Sequence, residues 1–471
     1  VTRGPFIHSE PDAVRAAAAA IFVQCFPLLL ADAIRRAHPH AFHQLQLVRE
    51  DGESLAPGLA EDDFRVVVTS AWIDLSERPV VVRLPHTEGR YLSLTLFDTL
   101  GEPFESVGSR TDDVSGVDLA LVGPNWRGEL PGGLRAKRAP SELVWAVSRI
   151  HAHSIIDRAD TVALAKRQCL ATLPPAIDGP RARSSAVDSP SSPSVRQVSE
   201  ISPAVFFHRL DNLIQRAPVA HIRTLLARAG SLRDKLGGPP PASSWTAEFH
   251  DAVCRGFSEG MEAIVGAALT SSGIECQGWS TLPGGVQNPS MNALGRAACA
   301  YASMGAPRRD DLLSLVCDED ELGRPLSGGH AYRIHFRPGA GPPVRSFWWL
   351  SARPSARREL QHGLGSRSDL SLNADGSLDI LVQREPPPAP MIPNWLASHE
   401  HRFSLIMRLY TPRPAALGGS WRMPPVERLD SGAAGKPGRS VRRWRAARPP
   451  PHSDHSRREL EPTASAWRAF P

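Results

Sequence analysis

Cysteine is scarce in this chain, and the few there are lie far apart. Six are spread over 471 residues, at Cys25, Cys169, Cys254, Cys276, Cys299 and Cys317. No pair has C-x-x-C spacing and no Cys/His set has zinc-ligand spacing. That argues against a disulfide scaffold, a thioredoxin-type redox motif and a zinc site. Reduced, mostly buried thiols are the expectation. The common catalytic signatures are missing too. There is no G-x-S-x-G elbow, no Walker A loop and no G-x-G-x-x-G after a strand. Gly432–Lys436 imitates a phosphate loop, but Pro437 stands where a Ser or Thr is needed. His399-Glu400-His401 lacks metalloprotease spacing.

A basic folded surface is also lacking. The formal charge is +5, yet residues 431–471 alone hold nine Lys/Arg against three Asp/Glu, so this tail is +6 and residues 1–430 come to −1. The folded part therefore gives no electrostatic reason to expect nucleic acid. Arg442-Arg443-Trp444-Arg445 could meet nucleic acid or anionic lipid, but an incidental solvated tail is the plainer reading. Residues 16–31 form the longest apolar run. Gln24 and Pro27 interrupt it and Arg35-Arg36 follows, so a buried first helix is expected rather than a membrane span. A cytoplasmic protein follows, or a periplasmic one if residues 13–34 act as a signal segment.

What the sequence does contain is strand-like alternation in two blocks. Val66–Ala71, Pro79–Leu84, Tyr91–Phe97 and Asp118–Val122 read as strands in the first. Tyr332–Phe336, Ser346–Ser351, Leu370–Leu372, Leu378–Gln383 and Phe403–Leu409 do so in the second, with Asn373–Gly376 as a turn. Helical patterns cover the N-terminal alanines, with a kink at Pro27, and then residues 141–170, 204–216, 219–236, 245–270 and 291–305. Residues 179–203 are rich in Pro, Ser and Arg and read as a flexible linker. There is no fixed-period repeat, only a loose echo: strand, polar loop and Gly-x-Arg occur at Gly108-Ser109-Arg110 and again at Gly365-Ser366-Arg367.

Several stretches resemble a widespread bacterial two-domain family. Its halves are known only as domain of unknown function 1254 (N-terminal) and domain of unknown function 1214 (C-terminal). In the first half the matching residues are Ser70–Ser76, Arg90–Asp98, Val107–Arg110, Leu121–Pro131 and Leu143–Arg149. In the second they are His330–Phe336, Pro342–Trp348, Asn373–Ser377, Asn394–Leu396 and Leu405–Tyr410. The resemblance spans roughly 13–425, outside the linker. It implies a mainly β, α+β multi-domain protein with two jelly-roll-like β-sandwiches joined by a helical middle. The expected divisions are 1–140, 141–310, 311–430 and a disordered basic tail at 431–471. The chain departs from the family at polar positions. An Asn-x-Asp-Thr-x-Tyr stretch is replaced by Asp63-Phe-Arg-Val-Val-Val68, a Tyr-Asp by Arg353-Pro354, and the Asp of Gly-Asp-Arg by Ser366.

The best site candidates are Arg90, Asp98, Arg110, Arg149 and Arg367, because a guanidinium fork suits a carboxylate or phosphate ligand. The plainer reading is internal Arg–Asp bridging. His38-Pro-His40-Ala-Phe-His43 is a histidine cluster with no completing carboxylate, more simply a surface loop than a metal site. Trp126, Trp145, Trp348, Trp349 and Trp395 could stack on a sugar but more often fill a core. No catalytic residue, metal or cofactor is identifiable. Two functions are consistent with this: an enzyme or divergent former enzyme for a small anionic or polyol-like molecule, or a non-catalytic binding or assembly protein. The partners to look for are a small-molecule ligand and further copies of the chain, as a homo-oligomer.

Overall fold

The computed structural model describes residues 11–38, 42–48, 56–59, 65–111, 117–154, 156–173, 194–216, 245–270, 276–282, 291–354, 363–429 and 442–443. The expected helix 219–236 and most of the tail lie outside them.

Short β-branched and alternating segments build the first half. Its strands are β1 (Gln46–Leu47), β2 (Val66–Asp74), β3 (Val80–Leu84), β4 (Tyr91–Phe97), β5 (Pro103–Gly108), β6 (Val117–Val122), β7 (Arg135–Arg138), β8 (Leu143–His151) and β9 (Cys169–Thr172). They form two sheets, ordered β1-β2-β8-β4-β5 and β7-β6-β3-β9. Leu94, Leu96, Ala146 and Ile150 of the first sheet pack on Val80, Val82, Leu119 and Leu121 of the second, closing a sandwich. Each such aliphatic side chain contributes about 1.5–3 kcal/mol when taken out of water.

The second half repeats the plan. Its strands are β10 (Trp279–Thr281), β11 (Leu312–Cys317), β12 (Ala331–Phe336), β13 (Val344–Pro354), β14 (Gly363–Gly365), β15 (Ser371–Leu372), β16 (Leu378–Gln383), β17 (Trp395–Ala397), β18 (Phe403–Pro412), β19 (Val426–Leu429) and β20 (Arg442–Arg443). The sheets run β10-β11-β18-β13-β14 and β17-β16-β12-β19, and β20 pairs only with β15. Trp348, Leu350, Leu405, Met407 and Leu409 pack on Tyr332, Ile334, Ile380 and Val382. The two sandwiches share one topology, strand for strand. Even the parallel pair recurs: β6 with β7, and β16 with β17. The Gly-x-Arg echo in the sequence is thus the visible remnant of a structural duplication.

Helices α1 (Pro11–Ala37), α3 (Ser194–Ser199), α4 (Pro203–Arg216), α5 (Ala247–Thr270) and α6 (Ala293–Ser303) cover the outer face of the first sheet, whereas α2 (Arg158–Ala165) packs into the core of the first sandwich and α7 (Pro414–Leu417) packs against the second. Ile21, Phe22, Phe26 and Leu30 of α1 share a core with Phe206, Phe257, Trp72, Phe97 and Trp145. Gly256 of α5 permits the close crossing, since a Cβ there would lie 2.4 Å from the Arg15 carbonyl oxygen. At 27 residues, α1 is longer than the interrupted run suggested and continues through Pro27. Its length and composition would let it cross a bilayer, but 72% of its most apolar window is buried inside the fold.

Three expectations are corrected. Residues 141–170 are not one helix: Leu143–His151 is a central strand between β2 and β4, and only Arg158–Ala165 is helical. Leu143, Val144, Val147 and Ile150 fit helical spacing, but they belong to a strand that is buried along almost its whole length because both faces of β8 are covered. Hence the first sandwich does not stop at residue 140. Finally, the 179–203 linker is too long at its end, since Ser194–Ser199 is helical and α4 begins at Pro203.

Candidate functional site at the seam between the sandwiches

Alternation along four strands generates the site. On β8, Trp145 and Val147 face the helices, while Arg149 and His151, in the same phase, reach the second sandwich. Tyr91 lies opposite His151 across β4, and Ser93 opposite Arg149. In the second sandwich Phe347 pairs with Tyr410 and Trp349 with Arg408, in the opposite phase to the core residues Trp348 and Leu409. These two faces meet. Phe347 and Tyr410 stack at 4.1 Å between ring centroids, His151 lies 4.3 Å from Phe347, and Tyr91 meets Tyr410 edge-on at 5.1 Å.

Polar groups surround this aromatic centre. Arg110 donates through Nε to Asp311 Oδ1 at 2.6 Å, and Ser106 Oγ donates to Asp311 Oδ2. Tyr91 Oη donates to the Asp311 carbonyl at 3.2 Å. Burial pushes the Asp311 carboxyl above the usual carboxylate range, against the pull of Ser106 and Arg110. Burial, together with the nearby Asp311, also raises the Tyr91 phenol. Arg149 donates to the Gly305 carbonyl at 2.9 Å. On the other side of the cluster, the Arg367 guanidinium lies 4.1 Å above the Phe347 ring and that of Arg65 lies 3.4 Å above Trp349. Crowding around the guanidinium, then the charge of Arg65, pulls Arg367 below the usual arginine value, although the residue as a whole is solvent-exposed. Among the described residues no carboxylate pairs with Arg367.

Three of the five expected site residues therefore gather at the seam: Arg110, Arg149 and Arg367. The other two do not. Arg90 makes a two-pronged pair with Asp157, at 3.0 and 2.5 Å, and tethers α2 to the sheet. Asp98 is buried at the far end of β4, where it accepts the amides of Leu100 and Glu102 at 2.8 and 3.0 Å and shapes a turn. The histidine cluster is not a surface loop at His38, which is buried and bonded to the Ser70 carbonyl at 3.2 Å. His43 accepts the Asp74 amide at 3.0 Å, while His40 lies outside the described residues. Among the described residues no three His, Cys, Asp or Glu are grouped to hold a metal.

Sequence reading missed Arg65, His151, Asp311, Phe347 and Tyr410 as neighbours. The available signal was the unbroken apolar run Phe347-Trp348-Trp349-Leu350, which implies cover on both faces of β13, as the structure shows. Two of the departures from the family pattern fall there: Val66 sits opposite His151 and Val68 opposite Arg149, and Ser366 precedes the seam arginine, whereas Arg353-Pro354 ends β13 opposite Ser404 and Phe403.

The fold and this seam define a protein of two β-sandwiches with identical topology and a basic, aromatic interface between them. Residues 58–172 match the family described as a protein of unknown function, DUF1254, and residues 312–414 match the one described as DUF1214, so the chain has that two-domain architecture. A Vibrio parahaemolyticus protein, solved in a structural genomics programme, is 19% identical. It covers 88% of this chain and 100% of its own length, with a TM-score of 0.63, which establishes a shared fold. An uncharacterised Burkholderia cenocepacia protein is 12% identical over 90% of this chain and 96% of its own, with a TM-score of 0.42. No curated protein matches at a significant level.

Proposed function

We propose that the chain binds a small anionic molecule at the seam, as a divergent member of a ligand-handling family. The supporting observation is Arg367. Its guanidinium stands at the interface next to a second cation, Arg65, and no described carboxylate neutralises it. The charge of Arg65 raises the energy of the Arg367 guanidinium, and an arriving anion relieves it. The Phe347 ring below Arg367 holds the plane of its guanidinium, leaving its N–H edges for an oxyanion. His153, exposed nearby, is pulled down by burial and by the charge of Arg367.

The alternative, a non-catalytic assembly role, draws on a different observation. Arg90, Arg110 and Arg149 use their hydrogen bonds on internal partners, as structural arginines do. Isothermal titration of the full chain with malonate and with inorganic phosphate separates the readings. Saturable binding at one site, weakened at least about tenfold in Arg367→Gln, is the expected result, since a charged hydrogen-bonding pair contributes about 1.5–3 kcal/mol. Absence of any saturable anion binding would overturn the proposal and leave the seam as an internal joint.

A further inference from the structure

The flank of α5 carries chemistry that the seam does not use. The helix buries Ala252, Val253, Gly256, Phe257, Gly260 and Ile264 along one stripe. At 3.6 residues per turn, positions 250 and 254 fall one above the other at the border of that stripe. His250 is exposed there and Cys254 is half-buried. Their side chains meet: Cys254 Sγ lies 3.7 Å from His250 Nδ1 and 3.9 Å from Nε2. The pair is seated on the first turns of the helix. The Thr246 hydroxyl accepts the Phe249 amide at 3.2 Å, and the Thr246 carbonyl accepts the His250 amide at 3.0 Å. The Trp245 ring packs 6.1 Å from the imidazole.

A thiol beside an imidazole serves either as a nucleophile with its base or as a metal chelate. The first role needs an easily formed thiolate. Here burial, then the charge of Asp251, raises the Cys254 thiol above its ordinary value. A protonated thiol is a poor nucleophile, but a metal ion displaces its proton and takes the sulfur as thiolate. The spacing agrees with the second role. With Zn–S at about 2.3 Å and Zn–N at about 2.0–2.1 Å, sulfur and nitrogen on one tetrahedral ion stand about 3.6 Å apart. The two side chains already stand near that separation, and a turn of the imidazole about its broad χ2 well aims one ring nitrogen at the shared ion.

We infer that His250 and Cys254 form a two-point site on α5 for a thiophilic metal ion such as Zn2+ or Cd2+. The thiol proton leaves to solvent as the sulfur–metal bond forms, and the imidazole binds in its neutral form. Water fills the remaining positions, since among the described residues no third His, Cys, Asp or Glu joins the pair. Two protein ligands make the site open and exchangeable, unlike the four-ligand structural zinc sites whose spacing the sequence lacks. Mg2+ and Ca2+ prefer oxygen donors and are not expected to compete. An ion that bridges one turn binds only the helical form and so stabilises α5. The site stands apart from the anion reading at the seam and does not depend on it.

The test is titration of the full, reduced chain with Co2+, followed by displacement with Zn2+, beside the variants Cys254→Ser and His250→Ala. Both substitutions fall at the solvent border of α5, and thermal unfolding without metal checks that each variant folds. In wild type, saturable Co2+ binding is expected, with a near-ultraviolet sulfur-to-cobalt charge-transfer band that Zn2+ abolishes and Mg2+ leaves in place. Cys254→Ser is expected to lose the band, and His250→Ala to bind at least about tenfold more weakly. Zn2+ is also expected to shield Cys254 from alkylation in wild type, read by peptide mass against the remaining cysteines. No band in wild type, or a band that survives Cys254→Ser, would overturn the site. An unchanged affinity in His250→Ala would show a thiol acting alone and overturn the chelate.

Discussion

The clasp between Arg110 and Asp311 makes a quantitative asymmetry testable. Arg110→Ala and Asp311→Asn remove opposite ends of one ion pair, 2.6 Å long, but they leave different things behind. The Asp311 side chain is 3% exposed and that of Arg110 is 24% exposed. Without the carboxylate charge, Arg110 still has Asp310 at 3.4 Å and access to water. The loss is then that of one charge-assisted hydrogen bond, about 1.5–2 kcal/mol. Without Arg110, a buried carboxylate keeps, among the described residues, the Ser106 hydroxyl, and breaking such a pair costs about 3–5 kcal/mol. Arg110→Ala should therefore be the more damaging substitution near neutral pH.

Its damage should also depend on pH, with a definite sign. Burial already raises the Asp311 carboxyl, and loss of Arg110 raises it further. A carboxyl raised in the fold holds its proton more tightly than in the unfolded chain. Its favourable contribution is complete below the unfolded pKa and is lost as pH rises through the folded one. The Arg110→Ala deficit should thus be small in mild acid and grow toward neutrality. Because several domains need not unfold together, local hydrogen exchange is the better assay than a single midpoint. The Thr411 amide, bonded to the Asp311 carbonyl at 2.8 Å, is the reporter. Equal protection loss in the two variants, or an Arg110→Ala deficit independent of pH, would refute the reasoning.

Two further outcomes are expected. Asp157→Asn should lower the unfolding midpoint at neutral pH, by an amount matching about 1–2 kcal/mol for a charge-assisted pair. The Arg90 bond, first among the causes, holds the Asp157 carboxyl down at about 2, so its contribution is present above the ordinary carboxylate value and fades as pH falls toward 2. The difference between variant and wild type should narrow in acid, and a constant difference would count against it. Gly108→Ala should abolish soluble full-length protein, since φ is +137° and the new Cβ would meet the Leu92 carbonyl at 2.2 Å. Gly132→Ala, with nothing within 4 Å of its Cβ, is the control, expected to stay within about 0.5 kcal/mol of wild type.

The sequence was most legible where side-chain chemistry alternates along a strand, even where both faces are buried. Tyr91–Phe97 was read with its exact bounds, and the Phe403–Leu409 alternation correctly separated the core phase, Phe403, Leu405, Met407 and Leu409. It was least legible where alternation is missing. Leu143–Val147 is an unbroken apolar stretch, so helical spacing fitted by accident. Short, polar or isolated strands such as Pro103–Gly108, Arg135–Arg138 and Leu312–Cys317 escaped notice for want of alternation or length. The candidate arginines were picked by residue type, and type alone does not reveal a partner. Arg90 and Arg110 have the same chemistry, yet only Arg110 reaches the other sandwich.

The duplication explains why the seam holds so many buried polar groups at all. Two sandwiches packed through apolar faces would associate more tightly, but with no fixed register between them. A clasp such as Arg110–Asp311, flanked by Ser106 and Tyr91, fixes one arrangement through directed bonds. On the other side of the seam Arg367 lies over the Phe347 ring, and among the described residues no carboxylate pairs with it. That asymmetry separates the two roles weighed for this chain. The Arg110 side ties the sandwiches together, and under the anion-binding proposal the Arg367 side is where an external group acts. Substitutions on the first side should change stability under all buffers, whereas those on the second should matter only when an anion is present.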